Sequence, residues 1–101
     1  MITRIWHGRT KAADADKYLD FLLETGVQDY KATPGNLEVK IWRNIEADVA
    51  HFWTVSTWDS KESIKAFAGE DIEKARYYPE DNSFLLEFEP NVVHYEAFVV
   101  K

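Results

Sequence analysis

Two neighbouring segments of this 101-residue chain alternate with the two-residue period of a β-strand and are joined by only three residues. Leu37–Ile45 separates aliphatic from mostly polar positions, whereas Val49–Trp58 carries large side chains on both faces. A connection as short as Glu46-Ala47-Asp48 joins antiparallel strands only, because parallel strands need a long crossover. A strand that is bulky on both faces is covered on both sides. The pair therefore predicts an antiparallel hairpin whose second strand is covered on both faces.

Helical spacing is found on both sides of this hairpin. Between Ala12 and Tyr30 the apolar residues recur at helical intervals, and the breaker cluster Thr33-Pro34-Gly35-Asn36 is expected to follow the helix. Asp59 opens a second helix in a capping-box arrangement with Glu62, and Gly69 can end it. The chain is therefore expected to carry two amphipathic helices.

The remaining segments complete a β-α-β-β-α-β order. Ile2–Arg9 and Val92–Val100 are rich in branched and aromatic residues and predict the first and last strands of the chain, while Asp71–Tyr77 predicts one more helical turn. This order gives an α+β, ferredoxin-like fold: a four-stranded antiparallel sheet, ordered 4-1-3-2, with both helices on one face. Residues 1–101 are expected to form one domain.

The second face of such a sheet remains apolar and aromatic, and a chain of this length cannot cover it. An exposed apolar patch of that size predicts a partner. Two such sheets packed face to face hide both surfaces in a dimeric α+β barrel, so we expect a homodimer.

Charge and composition exclude several functions. The net charge of -6 and the absence of a basic block argue against nucleic acid and membrane surfaces as partners. With no cysteine, disulfides and thiolate metal sites are excluded. No signal peptide or apolar run of about 20 residues is present, so a cytoplasmic location is expected. Single, scattered glycines provide no phosphate loop, and no cofactor is expected.

The chain resembles the antibiotic biosynthesis monooxygenase family of dimeric α+β barrels. The residues that carry the likeness are Ser56–Phe67 (STWDSKESIKAF), which match that family's passage from strand to helix, with Arg4–Gly8 and His94–Glu96 in the outer strands. The stretch Ala68–Pro79 (AGEDIEKARYYP) is similar to one in small bacterial members.

This resemblance implies a range of activities on one scaffold. Some relatives oxygenate polycyclic phenols with O2 and no cofactor, and others degrade haem with the help of a histidine on a helix. Neither predicted helix of this chain contains histidine, which argues against the haem-degrading branch. The fold alone does not decide among these activities.

The three histidines are the first candidates for catalysis. His7, His51 and His94 are expected on adjacent strands at one end of the sheet. Convergence on one face would make a three-histidine metal site. If they do not converge, each is either a proton acceptor for a phenolic substrate or a partly buried polar residue with a hydrogen-bond partner.

Aromatic side chains are abundant, at 15% of the residues, and could line a slot for a flat ligand or simply fill the core and the dimer face. Arg4 and Arg43 lie within strands, where each is expected to pair with a carboxylate, such as Glu96 or Glu38, or to hold an acidic ligand. The candidate substrate-binding residues are Trp6, Trp53, Trp58, Phe67, Tyr77, Tyr78 and Tyr95.

Two functions follow as hypotheses. In the first, the chain is a cofactor-independent, monooxygenase-like enzyme: His7 or His94 deprotonates a small phenol or quinol, and the anion reacts with O2. In the second, the same pocket binds or senses an apolar metabolite without catalysis. A dimeric domain with a filled core and no ligand is the third possibility.

Overall fold

A computed structural model describes residues 1–101 and contains four strands and three α-helices. The elements are β1 (Ile2–Lys11), α1 (Ala15–Glu24), α2 (Gly26–Ala32), β2 (Asn36–Glu46), β3 (Val49–Trp58), α3 (Lys61–Ala68) and β4 (Val93–Glu96), with 3-10 turns at Ala12–Asp14 and Pro79–Ser83. No helix is long and apolar enough to cross a membrane.

All four strands form one antiparallel sheet in the order β2-β3-β1-β4, which confirms the predicted fold class and strand order. The pairing of β1 with β3 runs without a break from Ile2 opposite Trp58 to Lys11 opposite Val49. In contrast, β4 pairs only with residues 2–5 of β1. The two long central strands therefore form the rigid part of the sheet.

The sheet has two different faces. Along β1 the even-numbered residues, beginning with Arg4, are buried, and the odd-numbered ones are only partly so. We call the first face, which the helices cover, the helical face, and the second the open face. The open face carries exposed apolar side chains, including Trp42, Val93 and Tyr95.

Three boundaries differ from the sequence prediction. The first helix is divided at Thr25, which leaves helical geometry at φ -117° and ψ -87°. The second helix is capped by Ser60, whose hydroxyl accepts from the Ser63 N–H at 3.3 Å, and not by Asp59. Strand β4 ends at Glu96, because β1 has no residues left to pair with Phe98 and beyond.

The helical turn predicted for Asp71–Tyr77 is present only at its start, where the Lys74 N–H donates to the Asp71 carbonyl at 3.2 Å. Lys74 also bridges to Asn91, and the Ala75 N–H donates to the Pro90 carbonyl at 2.9 Å. This long-range pairing ends the turn, because tertiary contacts override a weak local preference.

The core on the helical face consists of two clusters. The larger surrounds Trp6, Tyr18 and Phe52, and the smaller surrounds Tyr30 and Trp58. The ring centroids of Tyr30 and Phe67 stack at 4.0 Å in the smaller cluster. The boundary between the clusters is where the interior cavity lies.

Two glycines with positive φ provide a matched test of this packing. A Cβ at Gly35 (φ +92°) would lie 2.3 Å from Ser63 Oγ, whereas one at Gly69 (φ +90°) would meet nothing within 4 Å. Both alanine variants should lose roughly 1–3 kcal/mol of unfolding free energy through backbone strain. Gly35→Ala should lose clearly more than Gly69→Ala in urea unfolding; equal losses would contradict the close packing of α3 on the α2–β2 connection.

Candidate functional site

The interior cavity lies between the sheet and the helices, under the connection that follows α3. Its volume is about 30 Å³. The lining combines charged, hydroxylated and aromatic side chains from six parts of the chain: Arg4, Trp6, Tyr18, Leu22, Gly26, Val27, Tyr30, Thr54, Phe67, Arg76, Tyr78 and Asp81. Convergence of buried charges on one small aromatic cavity is typical of a functional site.

Arg4 is the positive charge in this cavity and is only 1% exposed. Its Nη1 donates to the Tyr30 hydroxyl at 2.9 Å and its Nη2 to the Lys74 carbonyl at 3.0 Å, while Nε is buried without a partner. The guanidinium carbon lies 5.4 Å from the centre of the Phe67 ring. The carboxylate partner expected from the sequence is absent, because every hydrogen-bond acceptor around Arg4 is neutral.

Asp81 is the negative charge and is 3% exposed. Its carboxylate accepts from the Tyr18 hydroxyl at 2.9 Å and from the Tyr78 N–H at 2.7 Å. Burial raises the pKa of Asp81, and these hydrogen bonds only partly offset that rise. A carboxylate with a raised pKa is a better proton acceptor near neutral pH than an exposed one.

The outer wall of the cavity is fastened to α2 by one residue. Asp29 accepts a short hydrogen bond from the Tyr78 hydroxyl and forms an ion pair with Arg76 at 3.3 Å. Arg76 also lies over the Phe67 ring, 4.8 Å from its centre. Arg76 also donates to the Phe67 carbonyl at 3.2 Å, so this partly exposed wall is linked to α3 as well as to α2.

His94 is on the helical face beside the cavity but does not line it. It is the register partner of Arg4, and both of its ring nitrogens are buried without a hydrogen-bond partner. Burial lowers the pKa of His94, and the positive charge of Arg4 lowers it further. The imidazole is therefore neutral at pH 7.

His7 and His51 are together on the open face. The Nε2 of His7 and the Nδ1 of His51 are 3.0 Å apart, and the Nδ1 of His7 is 2.5 Å from the Glu89 carboxylate. Trp53 packs against both imidazoles, with centroid distances of 5.0 and 5.8 Å. This carboxylate–histidine–histidine chain borders a concavity of about 550 Å³ that is open to solvent.

The expected gathering of three histidines at one end of the sheet is wrong for His94. The short strand β4 pairs with the first half of β1, so His94 is opposite Arg4 and not beside His7. Its side chain is on the helical face, whereas His7 and His51 are on the open face. Consistent with this arrangement, no group of three metal-ligating side chains converges anywhere in the chain.

The predicted aromatic residues divide among three places. Trp6, Phe67 and Tyr78 line the cavity. Trp58 is fully buried behind it, and Tyr77 packs edge-on against Trp6 at 6.2 Å. The open-face concavity takes the remaining pair, Trp53 and Tyr95.

Sequence reasoning missed Asp81 and Asp29, and it did not connect Glu89 with His7. Asp81 occurs in the polar string Glu80-Asp81-Asn82-Ser83, which is typical of a solvated turn. The only local signal was Pro79, which begins a 3-10 turn. Nothing in the sequence indicates that this turn folds inward onto Tyr18.

The state of His94 gives a testable pH dependence. Because its pKa is lower in the folded protein than the ordinary 6.5, its neutral form favours folding. That contribution is fully present above pH 6.5 and is lost as the pH falls towards the lower, folded-state pKa. His94→Gln should therefore flatten the acid side of the stability profile in urea titrations. An unchanged slope would contradict the buried, neutral imidazole.

Comparison with solved structures shows the fold to be a known one. A Nitrosomonas europaea protein assigned provisionally to the antibiotic biosynthesis monooxygenases has 14% identity and a TM-score of 0.69, with 98% of this chain and 100% of that chain covered. A second antibiotic biosynthesis monooxygenase has 19% identity and a TM-score of 0.67, with the same coverage.

The haem degrader MhuD of Mycobacterium tuberculosis, solved with two haems in its active site, has 17% identity and a TM-score of 0.61, with 100% of this chain and 99% of that chain covered. No family model and no curated protein matches the sequence. The chain therefore has the α+β fold of the antibiotic biosynthesis monooxygenases, and the resemblance is confirmed at that level.

Proposed function

We propose that this chain is a cofactor-independent, monooxygenase-like enzyme that acts on a small phenol or quinol bound at the interior cavity, which outward movement of Tyr78 would enlarge to admit the ring. The observation that carries the proposal is the pair Arg4 and Asp81: both are buried, both line one aromatic cavity, and they form no ion pair with each other. Two buried charges of opposite sign that form no ion pair are costly for stability, and they are typical of a functional site.

In the proposed reaction, Asp81 accepts the phenolic proton, because burial has raised its pKa. The phenolate is electron-rich and reacts with O2: one oxygen atom becomes a ring carbonyl, and the other leaves as water with two hydrogens of the substrate. Phenol and O2 thus give quinone and water, and O2 is the only oxidant. The protein contributes orientation, desolvation and the proton acceptor.

His94 is the one of the three predicted catalytic histidines on the helical face. It remains a proposed proton acceptor, secondary to Asp81 because it does not line the cavity. A catalytic role for His7 and His51 would need a ligand on the open face, where Trp53 and Tyr95 would contact it.

A binding or sensing protein for an apolar metabolite is the second candidate. The aromatic lining supports it equally, but that function gives no reason for a buried carboxylate. Haem is not proposed as the ligand, because α1, α2 and α3 contain no histidine.

Oxygen uptake with a panel of phenols and quinols tests the enzyme directly. Asp81→Asn should lower kcat/KM by about 100-fold or more, the usual contribution of a proton acceptor. Glu80→Gln, on the adjacent exposed residue, is the matched control and should retain full activity. If the wild type oxidises a phenol and Asp81→Asn oxidises it with the same kcat/KM, the mechanism is contradicted. Ligand binding without oxygen uptake would favour the binding protein.

We also propose that the chain is a homodimer that buries the open face. Trp42, Val93 and Tyr95 are about half exposed there, at 49%, 51% and 55%. They lie on the two edge strands, β2 and β4, and border the same open-face concavity. Packing two such surfaces together removes them from water and produces the closed barrel.

Light scattering after size exclusion tests the dimer. Tyr95→Asp should shift the equilibrium towards monomer, because it places a charge on the proposed interface. Leu23→Asp is the control, since Leu23 is an exposed apolar residue of α1, away from the open face. A wild-type monomer, or equal effects of both variants, would contradict this interface.

A further inference from the structure

We infer that the interior cavity recognises a carboxylate through Arg4, so that the preferred ligand is a small aromatic acid. This inference names the substrate class of the proposed enzyme and depends on the proposed function only for the place of binding. The inference is supported by the charge balance around Arg4, the size of the cavity and the unpartnered Nε of Arg4.

Arg4 is the exception among the four arginines of the chain. Arg9 pairs with Glu87 at 2.8 Å, Arg43 with Asp16 at 2.9 Å and Arg76 with Asp29 at 3.3 Å. All three are at least partly exposed, whereas Arg4 is buried and has no carboxylate. The attraction between a buried guanidinium and an anion is strong because solvent does not screen the two charges.

One buried N–H group is free to receive that anion. The Nε of Arg4 has no hydrogen-bond partner, and Arg4 lines the cavity. Unsatisfied buried donors are rare in folded proteins, because each loses its hydrogen bonds to water. An oxygen of a bound carboxylate would accept from this donor.

The size of the cavity determines which anionic group fits beside Arg4. A volume of about 30 Å³ accommodates roughly two water-sized atoms, the size of the two oxygens of a carboxylate. A phosphate or sulfate is bulkier, and its greater negative charge would be repelled by Asp81 on the same cavity. A planar, singly charged group therefore fits better than a tetrahedral one.

The aromatic body of the ligand needs additional space. The stacked Tyr30 and Phe67 rings belong to the fixed core, but Tyr78 is held in place from α2 only by Asp29. Moving Tyr78 outward would extend the cavity beside Trp6 and Asp81. The carboxylate would then bind at Arg4 while a ring hydroxyl points towards Asp81.

Paired ligands provide the test. Calorimetry at neutral pH compares 4-hydroxybenzoate with 4-hydroxybenzamide, and 6-hydroxy-2-naphthoate with its amide, on the wild-type protein. We expect at least one acid to bind about tenfold or more tightly than its amide, the factor expected from charge-assisted hydrogen bonds. Arg4→Gln should abolish this preference, and Arg43→Gln, which alters an exposed arginine, should leave it unchanged.

The wild-type comparison holds even if Arg4→Gln fails to fold, since it requires no variant. Equal affinities of acids and amides, no binding of either acid at millimolar concentration, or a preference that survives in folded Arg4→Gln would overturn the inference. Oxygen uptake separates it from the proposed function. Acid-selective binding without turnover contradicts the enzyme alone. Turnover of an acid and its amide with equal kcat/KM, unchanged in Arg4→Gln, contradicts the carboxylate site alone.

Discussion

A guanidinium removed from water and given no carboxylate is the constraint on which the interior of this protein depends. Arg4 is held by a tyrosine hydroxyl, a backbone carbonyl and the face of Phe67, all of them neutral. Such an environment fixes the position of a positive charge without neutralising it. The aromatic side chains around Arg4 exclude solvent, and that exclusion makes the charge effective towards a ligand.

The rest of the helical face follows from this constraint. The 3-10 turn at Pro79–Ser83 brings Asp81 inward, where Tyr18 and a backbone N–H hold its carboxylate. The cavity thus contains one charge of each sign, and neither cancels the other by direct contact. His94 beside Arg4 stays neutral, in part because the same charge disfavours its protonation. Arg4 therefore acts on the protonation of His94, while the pKa of Asp81 is raised by its own burial.

The open face has a separate role. Its histidines are linked to each other and to Glu89, so their hydrogen-bonding groups are largely satisfied within the chain. Its apolar side chains, in contrast, have no cover. We interpret the helical face as the place of ligand chemistry and the open face as the place of self-association, which accounts for the large aromatic residues on both sides of one sheet.

The sequence was sufficient for the framework of the fold. Alternation in Val49–Trp58 predicted β3 with its observed bounds, and the order of elements predicted the strand order. The sequence-based prediction failed where long-range contacts determine the local structure. The predicted turn at residues 71–77 ends at Lys74 because residues 73–75 pair with residues 90–92. His94 is on the helical face because its register partner is Arg4. Asp81 was missed because a buried carboxylate and a solvated one have the same local sequence.

The most direct test of this account is the Arg Nε–H nuclear magnetic resonance spectrum of the protein, in which four arginines give at most four signals. We predict that the Arg4 signal exchanges slowly with water and shifts when 4-hydroxybenzoate or 6-hydroxy-2-naphthoate is added, while the Arg9 and Arg43 signals stay in place. A shift at Arg9 or Arg43 with none at Arg4 would contradict the interior site.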